Sequence, residues 1–326
     1  MKNCKALVVE APGKVVLKTI ALDELGSGDV LVKVAYSSVN YKDMLALEPR
    51  GGVLRTYPMI PGIDLSGWVV ESSNPLFSAG QEVLVTGYDL GVAHSGGFAE
   101  YARVPADWLL PLPAGLSLKE AMILGTAGVT ATLSLLELEQ AGMTPESSPR
   151  ILVTGASGGV GSLALQLLVK AGYQGIQALV RKPYQVPLVT ALGASEVLLT
   201  SELAASGKPL ERQEFDYVLD TVGGPVLSQI LPKVAYGGAV TTCGNAGGLK
   251  LEATVLPFIL RGIRLIGIDS VALDSEKRKK IWSLLAQEWK LRGEEFVQVI
   301  GLEEIAETAQ KLKAGQHLGR TIVAIS

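Results

Sequence analysis

Residues 151–172, ILVTGASGGVGSLALQLLVKAG, constrain the fold of this chain more than any other stretch. An apolar strand, Ile151–Thr154, runs into a glycine-rich loop, and the loop opens a helix expected over Val160–Ala171. Within TGASGGVG, Ala156-x-Gly158-x-x-Gly161 follows the dinucleotide-binding fingerprint, with alanine for its first glycine and Gly155 just before. Backbone without Cβ atoms can approach a pyrophosphate closely. The first turn of a helix then offers the charge unpaired N–H groups and the positive end of a dipole. Ser157, Gly158, Gly159, Val160 and Gly161 are the expected phosphate-binding residues. A plain turn has the same composition, but the strand-loop-helix context argues against it.

The pattern continues downstream. Strands are expected at Ile176–Val180, Glu196–Leu199, Phe215–Asp220, Ala239–Cys243 and Ile263–Ile268, with helices between them, one ending at Gly193. Such alternation predicts a six-stranded, doubly wound parallel sheet, an α/β Rossmann arrangement. The end of the second strand selects the nucleotide. An NAD-binding site needs Asp or Glu about 20 residues past the loop to accept from the ribose 2′-hydroxyl. ALVRKP places Arg181 and Lys182 there instead, two cations suited to a 2′-phosphate, so NADPH is the expected cofactor. Two solvated cations at a strand end are the plainer alternative.

The residues before this domain have another texture. ALVV, KVVLKT, DVLVKVAYSSV, GWVVESS, EVLVTG and FAEYARV are short, β-branched and separated by turns, which predicts a small, mostly antiparallel barrel or sandwich up to about Pro113. Ser117 and Glu120 form a capping-box pattern opening a helix that ends near Gly142. The tail, with helices near Ser275–Trp289 and Leu302–Leu312 and a strand at Thr321–Ile325, fits neither pattern alone. At 326 residues the chain exceeds the roughly 250–300 at which a single core stops growing. The expected division is 1–122, 123–272 and a tail, 273–326.

A net charge of -3, from 29 basic and 32 acidic residues spread along the chain, gives no footprint for nucleic acid or an anionic membrane. The N-terminus lacks a secretory apolar segment, and the uncharged run Ala121–Leu136 is shorter than a membrane span. The two cysteines, Cys4 and Cys243, set no disulfide framework. The expectation is a cytoplasmic protein with a small-molecule partner.

A barrel of short strands followed by a mid-chain nucleotide domain resembles the medium-chain dehydrogenase/reductase superfamily. Its zinc alcohol dehydrogenases carry Gly-His-Glu where this chain reads PGIDLSG, with Ile63-Asp64 for the metal-binding pair. With two histidines, His94 and His317, two scattered cysteines and no four-cysteine lobe, no zinc ligand set is expected. SSVNYKD, YPMIPGID, GTAGVTA, VTGASGGVGS, DTVGG, PFILRG and GIDSV together resemble the zinc-free branch that holds quinone oxidoreductases and acryloyl-coenzyme A reductase. The resemblance implies a GroES-like catalytic barrel, a tail that returns to it, and a homodimer formed through the edge strand 263–268. It also implies hydride transfer from NADPH to an enoyl thioester, or alternatively to a quinone. A protein that binds NADPH as a signal, without turnover, is the rival from another class.

Tyr41, in NYKD, lies where the superfamily places its cleft, and its phenol suits the enolate that hydride addition creates. A tyrosine packing at a helix start is the alternative. Asp43 ranks next, as a residue that orients Lys42 or the helix start. Thr126 is a candidate for the catalytic cleft and for the nicotinamide amide. Tyr41, Asn245, Ser270 and Arg320 are implied cofactor contacts. His94 reads as a loop residue rather than a base, and Arg50 and Arg55 as a solvated basic loop rather than a coenzyme A phosphate site.

Overall fold

Valine-rich alternation makes the N-terminal third a set of strands in a computed structural model that describes residues 3–203, 207–291 and 296–325. β1 (Asn3–Ala11) and β2 (Lys14–Ala21) form an antiparallel hairpin. β3 (Val30–Val39), the seven-residue helix α1 (Tyr41–Leu47), β4 (Asp64–Ser72), β5 (Glu82–Thr86), β6 (Tyr101–Val104) and β7 (Leu110–Pro111) follow. α2 (Leu118–Gln140) starts at the expected capping box: Ser117 N–H donates to Glu120 Oε2 at 2.7 Å, and Glu120 N–H to Ser117 Oγ at 3.2 Å. By length and composition α2 could cross a membrane, which the run of uncharged residues did not suggest. However, 83% of its apolar window is buried inside the fold, and it is broken at Gly125.

Next come β8 (Ile151–Thr154), α3 (Gly159–Lys170), β9 (Ile176–Val180), α4 (Val186–Ala191), β10 (Glu196–Leu199), β11 (Phe215–Asp220), α5 (Gly224–Ile230), β12 (Val234–Thr242), α6 (Leu256–Arg261) and β13 (Arg264–Gly267). The tail adds α7 (Ser275–Ala286), β14 (Val297–Ile300), α8 (Ile305–Lys313) and β15 (Arg320–Ala324). β14, with its half-exposed pattern, has no counterpart in the sequence expectation.

The contacts divide the chain into two units. The first holds 3–126, 271–287 and 296–325, and the second 127–203, 207–270 and 288–291. In the first unit the sheet order is β14-β15-β3-β4-β5-β7, with β6 also paired to β3. The tail enters this sheet because β15 pairs antiparallel with β3, Thr321 opposite Val39. β14 pairs with β15 in parallel, the exception in an otherwise antiparallel set. Two apolar clusters fill the unit: one gathers Leu7, Val9, Met44, Ile60, Phe98 and Ile305, the other Val32, Leu65, Val83, Leu90 and Leu109.

The second unit is a six-stranded parallel sheet in the order β10-β9-β8-β11-β12-β13. The order reverses between β8 and β11. Loops leaving the carboxyl ends of strands at such a reversal form the ligand crevice of a doubly wound sheet. β12 begins five residues before the expected Ala239, since Val234 already pairs with Phe215 ahead of a register shift.

Candidate active site

In the first unit a buried carboxylate organises the site. Asp64, at the start of β4, has no solvent exposure. It accepts from Ser38 Oγ at 2.6 Å, from Asn40 Nδ2 at 2.8 Å, from Thr126 N–H at 3.0 and 3.1 Å, and from Thr126 Oγ1 at 2.5 Å. These donors come from three separate segments. Gly125 makes the last two bonds possible. Its backbone (φ 50°, ψ −154°) leaves helical geometry and turns the Thr126 N–H toward Asp64, and a Cβ there would lie 2.6 Å from Asp64 Oδ2.

Asn40 links Asp64 to two further charges. Its backbone N–H donates to Asp43 Oδ2 at 2.8 Å, and the N–H of Ile63 donates to Asp43 Oδ1 at 3.0 Å. Burial first, and the neighbouring Asp64 second, push the Asp43 carboxyl up to about 7 against those two bonds. Asp43 thus bonds backbone, not Lys42. Arg320 Nη1 donates to Asn40 Oδ1 at 3.3 Å, while Nε and Nη2 donate to the carbonyls of Ile123 and Met122 at 2.7 and 3.2 Å. Burial lowers the pKa of Arg320, and Asp64 and Asp43 oppose that shift. With 1% exposure and its donors spent on carbonyls, Arg320 holds Asn40 rather than presenting its own charge to a ligand.

Tyr41 stands apart from this network. It is 38% exposed, opens α1 and lines a depression of about 250 Å³ with Met44, Leu45, Glu48, Arg50 and Lys313. Lys313 donates to Glu48 at 2.6 Å. Among the described residues the Tyr41 hydroxyl has no hydrogen-bond partner. Both ring nitrogens of His94 meet backbone carbonyl oxygens, of Ser95 at 2.9 Å and Ser27 at 2.7 Å, and its ring lies edge-on to Trp108. That is a structural spacer.

In the second unit the loop after β8 wraps tightly on itself. A Cβ on Gly161 would lie 2.3 Å from the carbonyl oxygen of Gly155, so the first turn of α3 needs glycine to pack there. This leaves Ser157, Gly158, Gly159 and Val160 around a helix N-terminus, a cradle suited to phosphate. The exposed Arg181 and Lys182 follow β9, and Gln185 Oε1 accepts both of their backbone N–H groups, at 2.9 and 2.8 Å. Buried Asp220, in DTVGG, accepts from Thr154 Oγ1 at 2.7 Å, Thr242 Oγ1 at 2.9 Å and Gly223 N–H at 3.0 Å, tying together the ends of β8, β11 and β12. Asn245 is exposed in the loop after β12. Ser270 is nearly buried, and its Oγ accepts from Thr130 Oγ1 at 2.8 Å.

The structure therefore joins Asp43, Thr126 and Arg320 in one network of the first unit with Tyr41 at its edge. Asn40, Ser38, Asp64, Gln185 and Asp220 do structural work that the sequence reading did not assign them. Asn40 was legible as the residue before a helix start. Nothing in the sequence marks Gln185.

Two family profiles match the chain: the alcohol dehydrogenase GroES-like domain at residues 26–114 and the zinc-binding dehydrogenase at 159–287. A probable acrylyl-CoA reductase of Escherichia coli is 46% identical over 98% of this chain and 99% of its own. The chain belongs to the medium-chain dehydrogenase/reductase family. Within it, a Bacillus subtilis relative provisionally named a quinone oxidoreductase is 43% identical over 95% of this chain and 94% of its own. The structure of that relative with NAD bound matches at a TM-score of 0.93 and covers 99% of this chain and 100% of its own. A Salmonella enterica oxidoreductase solved in complex with NADP also reaches a TM-score of 0.93, at 44% identity, over 99% of this chain and 100% of its own. The fold is thus that of the medium-chain reductases, GroES-like unit and Rossmann unit alike.

Zinc is part of one profile's description, and the residues present do not fit it. The groups around Asp64 are donors already aimed at its oxygens, and among the described residues no three His, Cys, Asp or Glu side chains gather as a metal site.

Proposed function

We propose that this medium-chain reductase is an NADPH-dependent, metal-independent oxidoreductase that reduces a conjugated carbonyl compound, an enoyl thioester of the acryloyl-coenzyme A type. The phosphate cradle before α3, with Arg181 and Lys182 for the 2′-phosphate, supports the choice of cofactor, as does the NADP complex of the Salmonella relative. Bound NADPH supplies the hydride. Its addition at the β-carbon leaves negative charge on the thioester oxygen and a carbanion equivalent at the α-carbon, and the chain must stabilise that charge and deliver one proton.

The observation that carries this reading is the contrast between Tyr41 and its neighbours. The hydroxyl protons of Ser38 and Thr126 and the side-chain N–H of Asn40 are given to Asp64, whereas the phenol of Tyr41 is exposed beside an open depression. Tyr41 gives its proton to the enolate and regains one from water, which its exposure allows. Thr126 is a further catalytic candidate in the first unit, and Asn245 and Ser270 are cofactor-contact candidates in the unit that carries the phosphate cradle. The same donor serves a quinone, whose reduction also places charge on oxygen, and the name of the Bacillus relative favours that second reading.

Steady-state kinetics with acryloyl-coenzyme A and a small benzoquinone, run side by side with NADPH, separate the two. A kcat/KM higher for the thioester by about 100-fold or more, roughly 2.7 kcal/mol of transition-state discrimination, is expected. A higher value for the quinone reverses the assignment. No oxidation of bound NADPH by either acceptor leaves cofactor binding as the function.

A further inference from the structure

We propose that Arg50 is a specificity-determining residue of the reductase: its guanidinium binds a phosphate group of the substrate, so that the depression beside Tyr41 selects thioesters of coenzyme A over acceptors without phosphate. The inference rests on the enoyl thioester reading given above and adds the group that recognises the far end of that substrate.

The depression belongs wholly to the first unit. Tyr41, Met44, Leu45 and Glu48 are spaced i, i+3, i+4 and i+7, so they form a row along one side of α1 and just past its end. At 1.5 Å per residue the row is roughly 10 Å long. The phenol stands at one end and Arg50 follows the other, with the apolar surface of Met44 and Leu45 between them. A three-carbon acryloyl group reacting at the phenol does not span such a row. What reaches Arg50 is therefore the thiol arm, which in coenzyme A leads to phosphates.

The charges along the row are unequal. Glu48 is neutralised by Lys313 Nζ at 2.6 Å, and Gln310 Nε2 approaches its other oxygen at 3.5 Å. Arg50 is exposed and, among the described residues, has neither an ion pair nor a hydrogen bond. Its backbone is nevertheless held on both sides. Pro49 packs against the turn between β1 and β2, where a Cβ on Gly13 would lie 2.6 Å from Pro49 Cγ. The N–H of Gly51 donates to the carbonyl of Glu48 at 3.2 Å, and a Cβ on Gly51 would overlap the carbonyl of Leu45. A basic loop that only met water would need neither contact. The fixed fork of guanidinium donors matches phosphate oxygens two at a time.

The test compares kcat/KM for acryloyl-coenzyme A with that for acryloyl-pantetheine, which keeps the reacting group and the arm and lacks phosphate. Wild type should prefer the coenzyme A thioester by about 10-fold, the low end for a charge-assisted contact because Arg50 also meets water. Arg50→Ala should remove most of that preference, Arg50→Glu should invert it, and Arg50→Lys should keep part of it. A preference in Arg50→Ala equal to that of wild type overturns the proposal, as does a wild type with none. Acryloyl-3′-dephospho-coenzyme A locates the contact: a preference that survives supports binding of the pyrophosphate, and one that disappears supports binding of the 3′-phosphate. Calorimetric titration with free coenzyme A keeps the inference separate from the reaction. If acryloyl-coenzyme A is not reduced, the enoyl thioester reading fails, yet coenzyme A bound about 10-fold more tightly by wild type than by Arg50→Ala still supports the phosphate site. Equal binding by the two proteins, or none, overturns it.

Discussion

The backbone N–H of Asn40 donates to Oδ2 of Asp43 at 2.8 Å, fixing the first turn of α1, and the carboxyl that receives it has an affinity for protons far above that of a free aspartate. The pKa is raised from 3.8 to about 7, so between those values the folded chain holds a proton that the unfolded chain has released. The stabilisation is complete below about pH 4 and is lost as pH rises through 7. His317 works the other way. Burial, then Arg320 and Lys311, lower it from 6.5 to about 4, so its contribution is complete above 6.5 and is lost as pH falls toward 4. Comparing Asp43→Asn with wild type cancels the His317 effect. Denaturant unfolding at about pH 4.5 and about pH 8 should show the variant gaining on wild type as pH rises, and a constant difference between the two contradicts the shift.

Arg181 and Lys182 are exposed beyond β9 while Gln185 orients their backbone, an arrangement that suits the 2′-phosphate of NADPH. A charge-assisted contact is worth roughly 1.5–3 kcal/mol, or about 10–100-fold in affinity. Titration should show that preference for NADPH over NADH in wild type and its collapse in Arg181→Ala with Lys182→Ala. Equal affinities in wild type would put this chain with the NAD-bound Bacillus structure instead.

Both thiols should be inert. Burial first, and nearby carboxylates after it, push Cys4 to about 11 and Cys243 to about 12, leaving almost no thiolate at neutral pH. Treatment of native protein with a disulfide reagent at about pH 7.5 should leave both unmodified until denaturant is added. Rapid labelling of either in the native state contradicts the assignment.

β13 ends the sheet order, and near it in sequence Leu249, Val255, Ile259 and Leu260 are more than half exposed. An open strand edge with exposed apolar side chains is suited to a second copy of the chain. Sedimentation should report a dimer for wild type and a monomer for Ile259→Glu with Leu260→Glu. A monomeric wild type removes the proposal.

Four strands of the second unit, Ile151–Thr154, Ile176–Val180, Glu196–Leu199 and Phe215–Asp220, have the bounds their sequence predicts, because apolar runs between turn residues leave little choice of register. β14 was not legible: VQVI is short, two of its residues are exposed, and it exists as a strand through its pairing with β15. The site was legible in part. Tyr41, Asp43, Thr126 and Arg320 stand out as residue types able to bond or to charge, but sequence alone cannot show that Arg320 spends its donors on carbonyls. Asp64 was visible as the residue replacing a metal ligand. The donors to its carboxylate come from β3, the start of α1 and the break in α2, partners 24 to 62 residues away, and no local pattern announces them.

Tyr41 as proton donor is the central claim, and Tyr41→Phe tests it most directly because the ring keeps its packing and loses the hydroxyl alone. Single-turnover oxidation of bound NADPH by acryloyl-coenzyme A, in both proteins, separates chemistry from product release. The rate constant should fall by roughly 100- to 10,000-fold, the range of a general acid, with cofactor affinity unchanged. Rate constants that agree within about threefold, far below that range, would contradict the account.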